Sequence, residues 1–177
     1  MSRLKSIGSG CSIIAIITLM LAEYGTEIRS TERGLSIIGN AEGCKRDPYY
    51  CPAGVLTVGV GSTAAGGDAI QRKRYSDEEI AKRWLKDVAM AEKCVFHFAN
   101  GEVLPLSVFE ATTSIVFNVG CNKAKQSTLF KRLNAGQYKQ ACDEFTKWVY
   151  AGGKKLRGLE IRREQERKLC LTDLAKS

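Results

Sequence analysis

Glu42 is the side chain of this sequence best placed for acid chemistry. Leu35, Ile37, Ile38 and Ala41 give the residues before it one apolar face, Ser30 or Thr31 can cap the helix they form, and Gly43 stops it. Glu42 therefore falls in the last helical turn, at the negative end of the helix dipole. That position disfavours its charged form, and partial burial would add to the effect. This is the property a general acid needs. Taken alone, it also describes an ordinary solvated helix end. What sharpens the reading is the company: Cys51 follows after eight residues and Thr57 after five more. A thiol has a reference pKa of about 8.5 against about 3.9 for Asp. Cys51 is thus a weak base at neutral pH unless cations such as Lys45 or Arg46 favour its thiolate. In a disulfide it is no base at all.

Cysteine usage bounds the compartment. The 177 residues carry seven cysteines and one histidine. No cysteine pair has CxxC spacing, and His97, three residues after Cys94, has no second partner pair, so packing is expected there and not zinc. An oxidising compartment explains the thiols better than metal does. Seven is odd, so at least one must stay free or pair elsewhere. Cys142 and Cys170 fall on helices expected to be neighbours; Cys94–Cys121 and Cys142–Cys170 are the pairings expected in the C-terminal part, although spacing does not fix connectivity.

The elements that must position Glu42 follow a simple order. Arg3 and Lys5 precede an uncharged stretch over residues 7–22 that ends at Glu23, with no clear A-x-A cleavage site. Sixteen helical residues span roughly 24 Å, short of a hydrocarbon core of about 30 Å. A cleaved signal peptide or a weak uncleaved anchor both fit, the bland alternative being a buried core helix, and the basic residues favour an N-inside orientation. After the first helix, residues 44–54 read as irregular and Val55 to Val60 as extended, with Gly54, Gly59 and Gly61 marking a small hairpin or meander. Residues 62–75 read as loop. Ser76 with Glu79 forms a capping box ahead of about five helical turns carrying Ile80, Trp84, Leu85, Val88, Ala91 and Val95. Further helices are expected over residues 106–119, 129–133, 138–150 and 159–174. The result is an α+β chain with a small mixed N-terminal lobe, a short antiparallel sheet and a long helix leading to a helical C-terminal lobe. Trp84, Trp148, Phe109 and Phe145 are expected in the core and not as sugar platforms. Lys and Arg outnumber Asp and Glu by 27 to 19, a net +8 that suits an anionic polymer or surface. No basic stripe interleaves with aromatics, which argues against nucleic acid.

From Glu42 through Cys51 to Thr57-Val58-Gly59-Val60-Gly61, the sequence resembles the bacteriophage lysozymes of glycoside hydrolase family 24. That family carries Glu, eight residues, Asp or Cys, five residues, then Thr opening a T-x-G-x-G strand. Phe117-Asn118-Val119-Gly120, Phe130 to Gly136 and Gly158-Leu159-Glu160-Ile161-Arg162-Arg163-Glu164 fit as well, so the likeness covers about residues 31–174. The subgroup it most resembles is the signal-arrest-release endolysins, which keep a weak N-terminal anchor and replace the Asp by Cys. The resemblance implies a lysozyme-like fold and assigns Glu42 as general acid on the glycosidic oxygen. It places Cys51 and Thr57 about the attacking water, an inverting arrangement. It also implies that Cys44–Cys51 locks the site and that Cys11–Cys44 exchange frees Cys51; the alternative is Cys44–Cys51 as a permanent staple. Asp47 is a substitute carboxylate whose spacing does not fit the family, and Ser62 stands where the family often has His.

In that last helix one of Arg162 and Arg163 can face the site, the bland alternative being a solvated basic face; Asn118 is either a sugar hydrogen-bonder or a helix C-cap. The expected organisation is a membrane segment over residues 1–26 and a muramidase domain over 27–177, divided into a lobe at 31–75 and the linking helix with its helical lobe at 76–177. The expected substrate is peptidoglycan, cleaved by a single chain with no metal or organic cofactor, tethered to the inner membrane through residues 7–22 and then released into the periplasm. The rival from another class is a membrane-tethered, non-catalytic wall-binding protein.

Overall fold

Residues 10–176 are described by the computed structural model; Arg3, Lys5 and residues 7–9 of the apolar segment lie outside them. The first helix, α1 (Ile13–Tyr24), starts at Ser12, whose hydroxyl accepts the Ala15 N–H at 3.3 Å. It buries Ile16, Ile17 and Met20, and α2 (Glu32–Glu42) follows it after a short joint. Among the described residues no helix is long and apolar enough to cross a membrane.

The chain next forms β1 (Lys45–Tyr50) and β2 (Leu56–Gly59), paired antiparallel with Tyr49 opposite Thr57 and Tyr50 opposite Leu56. The expectation of an irregular segment over residues 44–54 is therefore corrected for its first half. Pairing with β2 supplies the backbone partners, and Pro48 falls where the register shifts between Lys45 and Tyr49, a place that tolerates a missing N–H. Gly10 bridges to Lys45, and Cys11 N–H donates to the Cys44 carbonyl at 3.2 Å, so the start of the described chain extends this small sheet.

α3 (Asp77–Phe98) begins with the expected capping box, Ser76 and Glu79 each bonded to the other's backbone N–H. Its two ends serve two cores. Ile80, Trp84 and Val88 join α1, Leu35, Ile38, Val58 and Val60, while Cys94 and Val95 join the helical lobe. That lobe is built on α4 (Leu106–Val119), with α5 (Cys121–Ala124), α6 (Thr128–Asn134), α7 (Tyr138–Glu144) and α8 (Arg157–Thr172) around it. The helix expected over residues 138–150 stops at Glu144. A 3-10 turn over Phe145–Lys147 and the hairpin β3 (Tyr150–Ala151) and β4 (Lys154–Lys155) take its place. The hairpin turn is Gly152-Gly153 with φ of 57° and 75°, a conformation that suits the twist of a two-residue connection.

Trp84, Phe109 and Phe145 are fully buried, as expected, and Trp148 packs partly buried against the helical core. His97 is exposed, its ring edge against Phe98, in place of the packing expected for it: it falls on the outward side of α3 while Cys94 turns inward. Cys94 bonds Cys121 and Cys142 bonds Cys170, the two pairings expected in this lobe. In the small lobe Cys11 bonds Cys44, and Cys51 is free.

Candidate active site

Glu42 closes α2, and Gly43 follows as its C-cap. The front of the same helix is held by two carboxylates. Glu110 accepts the Thr31 N–H and hydroxyl at 2.8 and 2.5 Å, while Glu92 accepts the Ser30 N–H at 2.7 Å. Thr31 thus occupies the cap position, but its hydroxyl serves Glu110. With its N-terminus tied to α3 and α4, α2 delivers Glu42 to the junction of the lobes as part of a fixed rod.

There the Glu42 carboxylate meets α8. Arg162 Nη1 donates to Glu42 Oε1 at 2.8 Å, with the Arg162 side chain only 5% exposed and that of Glu42 25%. Arg162 is therefore the arginine facing the site. Arg163, 100° further round the helix, is wholly buried and donates through Nη2 to Asn118 Oδ1 at 2.9 Å. Burial pushes the Arg163 pKa down to about 10, against the pull of Glu166 and Glu42. Asn118 lies exposed inside α4, and Gly120 is the C-cap of that helix, so the capping alternative for Asn118 falls away.

On the small-lobe side, Cys51 and Val55 close the β1–β2 turn: Cys51 N–H donates to the Val55 carbonyl at 3.0 Å, and Gly54 N–H to the Cys51 carbonyl at 2.8 Å. Backbone N–H groups of Val55 and Ala53, followed by the Thr57 hydroxyl, hold the Cys51 thiol below its ordinary pKa. Turn amides, and not Lys45 or Arg46, are what favours the thiolate. Lys45 instead lies over the Tyr49 ring at 4.0 Å, and Arg46 pairs with Asp77. Thr57 is 3% exposed and donates its hydroxyl to the Val55 carbonyl at 2.9 Å. Its single proton therefore has two claimants, that carbonyl and the Cys51 sulfur. Asp47 pairs with Arg74 at 3.0 Å, away from Glu42.

Tyr49 was not anticipated. It is half-buried on β1 opposite Thr57, and its phenol pKa is raised by burial and then by the charges of Glu42 and Cys51. Gly61 completes the setting. Its φ is +72°, and a Cβ there would stand 3.1 Å from Glu42 Oε2. The second glycine of T-x-G-x-G thus lies against the Glu42 carboxylate itself. Also unanticipated are Ser114 and Glu166, which grip Arg162 from behind. Glu166 follows Arg162 by four residues on the same helix, a spacing visible in the sequence, whereas Ser114 gave no signal.

The family model for phage lysozyme matches residues 39–166, a span that takes in Glu42, Tyr49, Cys51, Thr57, Gly61, Ser114, Asn118, Arg162, Arg163 and Glu166. The chain belongs to the phage lysozyme family. It is accordingly a phage endolysin, a lysozyme and a glycoside hydrolase. A protein called SAR-endolysin from Escherichia phage P1 is 38% identical over 94% of this chain and 94% of its own length. The crystal structure of the active form of P1 phage endolysin Lyz superposes with a TM-score of 0.85 at 39% identity, covering 94% of this lysozyme and 97% of that chain. The secreted inactive form of the same protein superposes with a TM-score of 0.57, at 39% identity over 82% of this chain and 97% of that one. The lysozyme-like α+β fold thus accounts for nearly the whole sequence.

Proposed function

We propose that this lysozyme hydrolyses the β-1,4 bond between N-acetylmuramic acid and N-acetylglucosamine in peptidoglycan, lysing the host cell. The observation that carries the reading is Glu42 held by Arg162 against Gly61 of the T-x-G-x-G segment, with Cys51 left unpaired at the turn before that segment. Glu42 protonates the glycosidic oxygen. The Cys51 thiolate takes a proton from the attacking water while Thr57 orients it, and a water between the two groups gives inversion. Asn118 is positioned at the exposed end of α4 to hydrogen-bond the sugar.

The lock is redox. Before release, residues 7–22 sit in the inner membrane and the domain lies in the periplasm with Cys44 bonded to Cys51. On release, the Cys11 thiolate attacks Cys44 Sγ; the Cys44–Cys51 bond breaks, Cys11–Cys44 forms and Cys51 leaves as a thiolate. One disulfide is exchanged for another, so no oxidant is consumed. Three observations favour this sequence of events over a permanent Cys44–Cys51 staple: the Cys11–Cys44 bond, the free Cys51, and the better superposition on the active than on the inactive P1 form.

The full chain, assayed on purified peptidoglycan, tests both parts. Glu42→Gln is expected to abolish hydrolysis while wall binding persists; hydrolysis surviving in that variant refutes the assignment of the acid. Cys11→Ser is expected to be inactive until a thiol reductant is added. Equal activity with and without reductant leaves the muramidase standing and sinks the switch.

A further inference from the structure

Arg162 cannot be understood from its contact with Glu42 alone. Its Nε donates to Glu166 Oε1 at 3.1 Å, and its Nη2 donates to the Ser114 carbonyl at 3.1 Å. The Ser114 hydroxyl in turn donates to Glu166 Oε1 at 2.6 Å. Glu166 is fully buried, and its second oxygen lies 3.1 Å from Arg163 Nε. Two guanidiniums and two carboxylates therefore stand in one row, Glu42, Arg162, Glu166, Arg163, with a formal charge of zero. Facing Glu166 are Arg162 and Arg163 from its own helix and Ser114 from α4. Facing Glu42 is Arg162 from α8, while Tyr49 from β1 and Arg163 from α8 feel its charge at longer range.

We infer that Glu166 is a positioning residue for the acid: it fixes the plane of Arg162 so that only Nη1 reaches Glu42, and its own negative charge offsets the pull of that arginine on Glu42. An arginine given wholly to Glu42 would hold it as a carboxylate, and a general acid must carry its proton when substrate arrives. A guanidinium shared between two carboxylates orients the acid with a weaker grip on its charge. The inference rests on the reading of Glu42 as the general acid.

The test is the pH dependence of kcat/KM on soluble glycan strands, using the full chain. Glu166→Gln keeps the shape of the side chain and removes its charge, so Arg162 turns its full charge on Glu42. The limb on which activity falls with rising pH is expected to move down by about one pH unit. Arg163→Gln removes the charge that balances Glu166 and is expected to move the same limb upward; the double variant returns it towards the parent position. Glu164→Gln, the same change of net charge outside the row, leaves the limb in place. A rate loss with the limb unmoved in both single variants means a structural role only and overturns the proposal. Should Glu166→Gln fail to fold, Arg163→Gln decides alone, and an unmoved limb there has the same meaning. Failure of the acid assignment is read separately, as hydrolysis that survives Glu42→Gln.

Discussion

A thiol that serves as a base must be a thiolate at working pH, and at Cys51 the turn amides of Val55 and Ala53 favour that form. The rate at which iodoacetamide alkylates Cys51 in the full chain should therefore reach half its plateau below the pH of about 8.5 typical of a free thiol. A midpoint at or above that value would contradict the geometry of the turn. Gly61 makes a sharper residue-scale prediction. Its φ of +72° disfavours any side chain, and the first atom of one would stand 3.1 Å from Glu42 Oε2. Gly61→Ala is expected to cost about 1–2 kcal/mol of stability by chemical denaturation. It should also lower kcat at least tenfold by displacing the acid. The positions of Glu42, Cys51 and Thr57 were legible in their spacing. The groups that tune them were not: Tyr49, Ser114 and the Val55 amide come from segments that meet only in space.

At the scale of elements, the two ends of α2 divide the work. Carboxylates from α3 and α4 hold its front, and Arg162 from α8 meets its end, so the acid is placed by three helices distant in sequence. α1 is packed into the same small-lobe core. Met20 and Ile16 are fully buried there. Met20→Ala is expected to destabilise the docked protein by about 2–5 kcal/mol in a denaturant titration. An unchanged midpoint would mean that α1 contributes nothing to that core. Helices with a clear apolar period and a cap were legible, α3 and α4 above all. β1 and the β3–β4 hairpin were not, because short strands owe their existence to a partner strand and not to local pattern.

The whole molecule shows how tightly its charges are spent. Within its net +8, arginines bridge segments far apart, such as Arg33 to the buried Glu110 and Arg167 to Asp143. Asp87 is an exception, half-buried beside the loop after β2, with one carboxylate oxygen lacking a partner. Burial raises its pKa, outweighing the opposing influence of the nearby Ser62 hydroxyl and Arg83. An acid that holds its proton more tightly when folded costs stability above its unfolded pKa. The cost is absent below about pH 4 and grows as pH rises through the folded value. Asp87→Asn should therefore raise the Tm by a few degrees at pH 7, with the gain vanishing in acid. An equal gain at both pH values would exclude ionisation as its cause. The sequence by itself determined the family resemblance, the spacing of Glu42, Cys51 and Thr57, the main helices and that at least one thiol has no partner within the chain. These are properties of neighbours along the chain, of periodicity and of counting. Which arginine holds Glu42, which amides stabilise Cys51 and which cysteine claims Cys44 were decided only by the tertiary structure. Each of these depends on a distance of a few ångströms between groups that folding alone brings together, as Arg162 is brought 120 positions back to Glu42.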